Sequence, residues 1–155
     1  MLNSNARLVS IIRRLPISQQ SPRLLNIGCG AFVEAPALRK LLPGWAVIGL
    51  DIVRLKKNST WLVQADAVHL PFACKFGLIL VRHPDVNKYP ERWKTIFENL
   101  PVYLDGVLLV TAYTFDEIEF VRNHLDLPPI SVSEPPLAPV DLVGRDKYYV
   151  SVNTK

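Results

Sequence analysis

Apolar residues along this chain fall into short unbroken runs that alternate with stretches of helical spacing. Arg23 to Gly28 is an apolar run closed by glycine, and Trp45 to Asp51 is a second. Thr60 to Gln64 is a shorter third, Phe76 to Val81 a fourth and Val107 to Tyr113 a fifth. Between them, Glu34 to Leu42 sets Leu38, Leu41 and Leu42 on one helical face and stops at Pro43-Gly44. Glu91 to Leu100 does the same with Trp93, Ile96, Phe97 and Leu100, and Asp116 to Leu125 forms a further helix, with Asp116 or Thr114 in place to cap it. Ahead of all of these, Ala6 to Leu15 spaces Leu8, Ile11, Ile12 and Leu15 as one helical stripe. Asn5 or Ser4 stands at its start and Pro16 at its end.

Strands without polar alternation are buried on both faces, and alternation with helices then implies a parallel sheet with right-handed crossovers. The stretches from Asp51 to Thr60 and from Asp66 to Phe76 are too short for full crossover helices and predict abbreviated loops. The tail differs in character. Pro128 to Pro139 carries five prolines, and Lys147 to Asn153 alternates in the manner of an antiparallel edge strand. The N-terminal helix is basic and amphipathic but short, which suits a helix covering one edge of the sheet better than one lying on a membrane or nucleic acid.

Composition narrows the class without changing the fold. The 155 residues suit one domain, 1–155, with the N-terminal helix inside 1–16 and the core in 23–155. With 49% hydrophobic residues and 21% charged, the chain is no disordered polymer. A net charge of +4 permits an anionic substrate, but the bases are scattered, with small clusters at Arg13-Arg14 and at Arg54, Lys56 and Lys57. Nucleic acid is not indicated. Cys29 and Cys74 lack metal-ligand spacing, so no metal is expected, and two free thiols in a reducing compartment is the expectation. With neither a signal peptide nor a run of membrane-spanning length, the expectation is a soluble cytoplasmic protein.

The candidate chemistry begins at Gly28-Cys29-Gly30, where the first strand turns into a helix. Glycines there let a ligand approach the main chain, and the helix behind offers free N–H groups. Asp51 ends the second strand, where a carboxylate can accept both hydroxyls of a ribose. Asp66 ends the third, where it can accept a hydrogen bond from an adenine amino group. Two acids at successive strand ends beside a glycine loop are hard to read as coincidence.

Leu24-Leu25-Asn26-Ile27-Gly28-Cys29-Gly30 resembles the first motif of class I S-adenosylmethionine-dependent methyltransferases. Val47 to Ile52 resembles their second motif, Ala65-Asp66-Ala67-Val68-His69-Leu70-Pro71-Phe72 their third, and Phe76 to Val81 their fourth strand. The resemblance implies a Rossmann-like three-layer α/β sandwich whose mostly parallel seven-stranded sheet ends in an antiparallel strand. It also implies S-adenosylmethionine as cofactor. Asn26, Gly28, Cys29 and Gly30 would face its methionine part, Asp51 the ribose and Ile52 the adenine, with Asp66 and the Ala67 N–H at the adenine edge. Three positions depart from the pattern: Asn26 stands where an acid is usual, Phe32 where a third glycine is, and Gly77 where an aspartate is common. A dinucleotide site would want Gly-x-Gly-x-x-Gly, and Val33 occupies its last position.

On the acceptor side, the loop Arg82-His83-Pro84-Asp85 offers His83 as a base oriented by Asp85, with Arg82 binding an anionic acceptor. Tyr113 would line the acceptor pocket. His69 and His124 read as structural or solvated, and Cys29 as a small loop residue rather than a nucleophile. Little of the chain can form a lid, so the acceptor side should be open to a large acceptor or to a second copy of the chain. Three functions are compatible with this pattern: methyl transfer to an unidentified acceptor, a degenerate methyltransferase-like binding domain, and an NAD-binding oxidoreductase domain.

Overall fold

A computed structural model describes residues 5–53, 61–127, 129–132 and 145–154. Ser4, the basic cluster of Arg54, Lys56 and Lys57, Thr60, Pro128 and most of the proline-rich tail lie outside the described residues. The elements in chain order are α1 (Ala6–Arg13), β1 (Arg23–Ile27), α2 (Ala35–Leu41), β2 (Ala46–Asp51), β3 (Leu62–Gln64), β4 (Phe76–Arg82), α3 (Pro90–Asn99), β5 (Leu104–Ala112), α4 (Phe115–His124), β6 (Pro129–Val132) and β7 (Tyr148–Asn153).

The strands form one sheet in the order β3-β2-β1-β4-β5-β7-β6. From β3 to β5 all neighbours run parallel, whereas β7 lies antiparallel between β5 and β6. The class is α/β with a mostly parallel, Rossmann-like sheet. Burial follows from the strand sequences. β4 (FGLILVR) is buried at every position because it is the middle strand, covered on both faces. Its Ile79 and Val81 pack with Ile27, Phe97, Ile118 and Val121 under α3 and α4. Leu78 and Leu80 point the other way, to Leu8, Ile12 and Leu38 of α1 and α2. Thus α1 covers a face of the sheet beside α2 rather than its edge, a correction to the sequence reading.

Two caps are decided by the structure. Thr114 starts α4 with a full capping box, its hydroxyl accepting from Glu117 N–H while the Glu117 carboxylate accepts from Thr114 N–H. Asn5 occupies the cap position of α1 but makes no capping bond. Its Oδ1 accepts from Arg82 Nη1 at 3.0 Å instead.

Gly77 has a packing reason. A Cβ there would sit 2.3 Å from the Ser21 carbonyl oxygen, so the approach of the segment before β1 to the start of β4 excludes every side chain, including the aspartate common in the resembling family.

Candidate functional site

In a sheet of this order, β1 is the switch point from which crossovers leave in opposite directions, and the crevice beyond its carboxyl end is where ligands bind. Gly28 and Gly30 both adopt positive φ there, 71° and 54°. The loop is stitched to β2: Gly28 and Cys29 N–H both donate to Leu50 O, at 2.8 and 3.1 Å, and Gly30 N–H donates to Asp51 Oδ2 at 2.8 Å. The other Asp51 oxygen accepts from Val53 N–H at 3.0 Å. The turn therefore fixes the carboxylate at the mouth of the crevice.

A cavity of about 220 Å³ opens beside it. Gly28, Asp51, Ile52 and Ala67 line one side, and Tyr89, Arg92, Trp93 and Ile96 of α3 and its approach line the other, with Asp85 at the rim. Ile52 is 54% exposed and presents an apolar side chain to the cavity. Five of the site residues singled out in the sequence, Gly28, Asp51, Ile52, Ala67 and Asp85, thus meet at one cavity. Asn26, Cys29, Gly30 and Asp66 stand beside it without lining it.

Asp66 follows β3 and its Oδ1 accepts from Val68 N–H at 2.9 Å and from Arg92 Nη2 at 2.5 Å. The Val68 amide, joined by the Arg92 guanidinium and opposed by burial, holds its carboxyl below the usual range.

Phe32 takes the place of the usual third glycine and keeps glycine-like geometry, at φ 53°. Its buried ring packs over Gly49 of β2, where a Cβ would come within 2.8 Å of both Phe32 Cδ1 and Cys29 Sγ. The loop thus fills with an aromatic ring the space that a glycine would leave. Cys29 lies in the same contact. Burial, then the Asp51 and Glu34 carboxylates, push its thiol up to about 12, so it is protonated and unreactive at neutral pH.

On the far side of Gly28 the structure holds a buried polar network that the sequence did not reveal. Asn26 Nδ2 donates to Glu34 Oε1, and Glu34 Oε2 lies 3.7 Å from Arg82 Nη1. Arg82 in turn holds Asp146 through Nε, at 2.9 and 3.1 Å, and through Nη2 at 2.5 Å. Thr111 Oγ1 donates to Asp146 Oδ1 at 2.6 Å, and Arg7 of α1 donates to the Asp146 and Lys147 carbonyls at 2.5 and 2.9 Å. Burial pulls the Asp146 carboxyl up, but the His83 imidazole beside it and its bonds to Arg82 and Thr111 outweigh that and hold it well below the usual range.

These contacts alter the expected acceptor side. The Arg82 side chain is buried and committed to Asp146, Asn5 and Glu34. His83 sits at φ 56°, stacks on Tyr113 at 3.8 Å and accepts the Asp146 N–H at Nε2, 2.9 Å. Its neighbouring carboxylate is Asp146, not Asp85. With Nε2 accepting, a neutral ring carries its proton on Nδ1, and that atom is buried without a partner, as is Asn26 Oδ1. Phe32, His83 and Asp146, all at this end of the sheet, are the non-glycine residues with left-handed backbone among those described. Such strain gathers where a site over-determines its backbone. Tyr113 is half exposed beside His83. No group of three metal-ligating side chains occurs among the described residues, and none of their helices is long and apolar enough to cross a membrane.

No protein-family model matches the chain, and no curated protein matches it. Solved structures do. The PH0226 protein from Pyrococcus horikoshii OT3 superposes with a TM-score of 0.71 at 13% identity, over 98% of this chain and 88% of that one. A Burkholderia thailandensis 1,6-didemethyltoxoflavin-N1-methyltransferase, with bound S-adenosylhomocysteine, gives 0.65 at 16% over 97% and 76%. The SAM-bound amino pentose methyltransferase CalS10 from Micromonospora echinaspora gives 0.56 at 21% over 72% of this chain, which spans half the length of that enzyme. At these identities the likeness shows the fold, that of the Rossmann-like S-adenosylmethionine-dependent methyltransferases.

Proposed function

We propose that this domain binds S-adenosylmethionine in the cavity beside Gly28 and transfers its methyl group, in the cytoplasm, to an acceptor that approaches over Tyr113. The observation that carries the reading is the convergence of Gly28, Asp51, Ile52 and Ala67, from three separate segments, on one cavity at the switch point of the sheet. Methyltransferases solved with S-adenosylmethionine or S-adenosylhomocysteine bound share the fold.

The residues fit the group. Asp51 already takes one backbone N–H on each oxygen, yet a carboxylate has about four lone-pair sites, so ribose hydroxyls can be added without breaking the turn. Ile52 and Trp93 give the cavity apolar walls suited to a flat base. Near the loop, the unpartnered Asn26 Oδ1 is an acceptor suited to an ammonium, and Glu34, bonded to Asn26, restores the carboxylate missing from position 26. The bound sulfonium supplies an electrophilic methyl group, so the protein's task is to align the acceptor and exclude water. His83 holds its Nε2 to the Asp146 amide and in this state positions an acceptor rather than taking its proton. Asp85, exposed at the rim, remains free to face the acceptor.

A second reading is a domain that holds the nucleoside without transferring a methyl group. One observation favours it: Arg82, expected to serve the acceptor, is spent inside the buried network. It predicts binding with no turnover.

Asp51→Ala tests the cofactor site. Loss of charge-assisted ribose bonds should weaken S-adenosylhomocysteine binding by about 1.5–3 kcal/mol. An Asp51→Ala protein with unchanged melting and unchanged affinity would remove Asp51 from the site and the proposed ribose position with it.

A further inference from the structure

Arg92, near the start of α3, lines the cavity, yet its guanidinium is turned onto Asp66. Asp66 Oδ1 takes both Arg92 and the Val68 amide, which leaves Oδ2 as the open acceptor of that carboxylate. The next residue, Ala67, lines the cavity wall. The carboxylate is therefore fixed from two sides, once by its own loop and once by a cation from a different element. Both side chains are more than a third exposed, 36% and 38%, so the pair adds little to folding stability. An ion pair that does little for the fold, joining a residue of the cavity wall to the acid expected to read a base, is suited to recognition.

We propose that Arg92 is a positioning residue that sets the base preference of the cavity, holding Asp66 as an ionised acceptor so that a 6-amino purine is taken and a 6-oxo purine rejected. This rests on the reading of the cavity as a nucleoside site. An exocyclic amino group donates to the carboxylate. A carbonyl at the same place opposes its lone pairs to those of Asp66, leaving both unpaired, and such mismatches discriminate strongly. Arg92 fixes the orientation of Asp66, holding Oδ1 so that Oδ2 is the oxygen presented to the base. Paired with Asp66, Arg92 is itself not turned to a carbonyl oxygen.

The test uses the full chain and two probes that differ only at that position, S-adenosylhomocysteine and S-inosylhomocysteine, titrated by calorimetry. The wild type should prefer the adenosyl ligand by about tenfold or more. Arg92→Ala should cut that preference to about twofold with unchanged melting, and Arg92→Lys, which keeps the charge but not the fork, should restore part of it. Because the pair is exposed, raised salt should erode the wild-type preference and leave that of Arg92→Ala unmoved. A preference that survives Arg92→Ala in a folded protein overturns this inference alone. A wild type that binds neither probe overturns the methyl-donor reading, and this inference falls with it. Should Arg92→Ala fail to fold, Asp66→Asn decides instead: it removes the ionised acceptor while keeping size, and an undiminished preference there also overturns the proposal.

Discussion

Asp146 shows how much of a site depends on residues that only the folded chain brings together. Nothing near it in sequence marks it, since its partners Arg82, His83 and Thr111 lie 64, 63 and 35 residues away. Glu34 was equally silent, since an acid at the start of a helix carries no sign in the sequence that its side chain turns inward. Asp51 and Gly28, by contrast, were legible, because each occupies a place fixed by the strand that precedes it. Asp85 was legible as a loop residue, whereas Arg82 is the last residue of β4 and its partners were hidden, because spacing does not tell which way a side chain turns at a strand end. Asp146 carries a prediction of its own. Its folded carboxyl lies well below the ordinary value near 4, so it is ionised in both states at neutral pH. As pH falls below about 4, the unfolded chain binds a proton that the folded chain refuses, and stability drains away towards more acid conditions. Melting temperature should therefore drop steeply through that range in the wild type. Asp146→Asn, already weaker at neutral pH by about 3–5 kcal/mol for a broken buried pair, should show a flatter acid limb. Parallel acid limbs in the two proteins would mean that Asp146 carries no such linkage.

Among the elements, the central strands and both long helices were readable from apolar spacing, because burial on one face or both dictates which residues they contain. Bounds moved where tertiary contacts extend a strand. β5 begins at Leu104 rather than Val107 since it pairs with Phe76 at the start of β4. α1 was placed on the wrong part of the sheet, because a hydrophobic stripe says that a helix is covered but not by what. The close contact of β4 with the segment before β1 was hidden too, for a glycine in an apolar strand has several possible causes. Gly77→Ala now tests that contact. The added Cβ meets backbone at Ser21, which cannot rotate away, so the variant should lose about 1–3 kcal/mol or more in denaturant unfolding. A variant as stable as the parent would show that the Ser21 segment yields freely and that Gly77 is not required there.

For the molecule as a whole, the sheet order places β1 at the switch point and gathers Gly28, Asp51, Ile52 and Ala67 at one cavity, while α1 and the residues just before β7 close a polar network on the other side of the loop. The motifs singled out residues of the first half, whereas the partners that Arg82 and His83 take in the second were not among those expected. This division underlies both functional readings: an open cavity proposed to take the nucleoside, and a network on the other side of the loop in which Arg82 is already engaged. The charge of +4 gave no guide to either, because neither the cavity nor the network depends on net charge. One measurement addresses the central claim. The purified chain is titrated by calorimetry with S-adenosylmethionine and S-adenosylhomocysteine, with NAD as the control. Saturable one-to-one binding of the sulfur ligands at micromolar concentration, with none to NAD, is the predicted result; binding of NAD alone, or of none of the three, would contradict it.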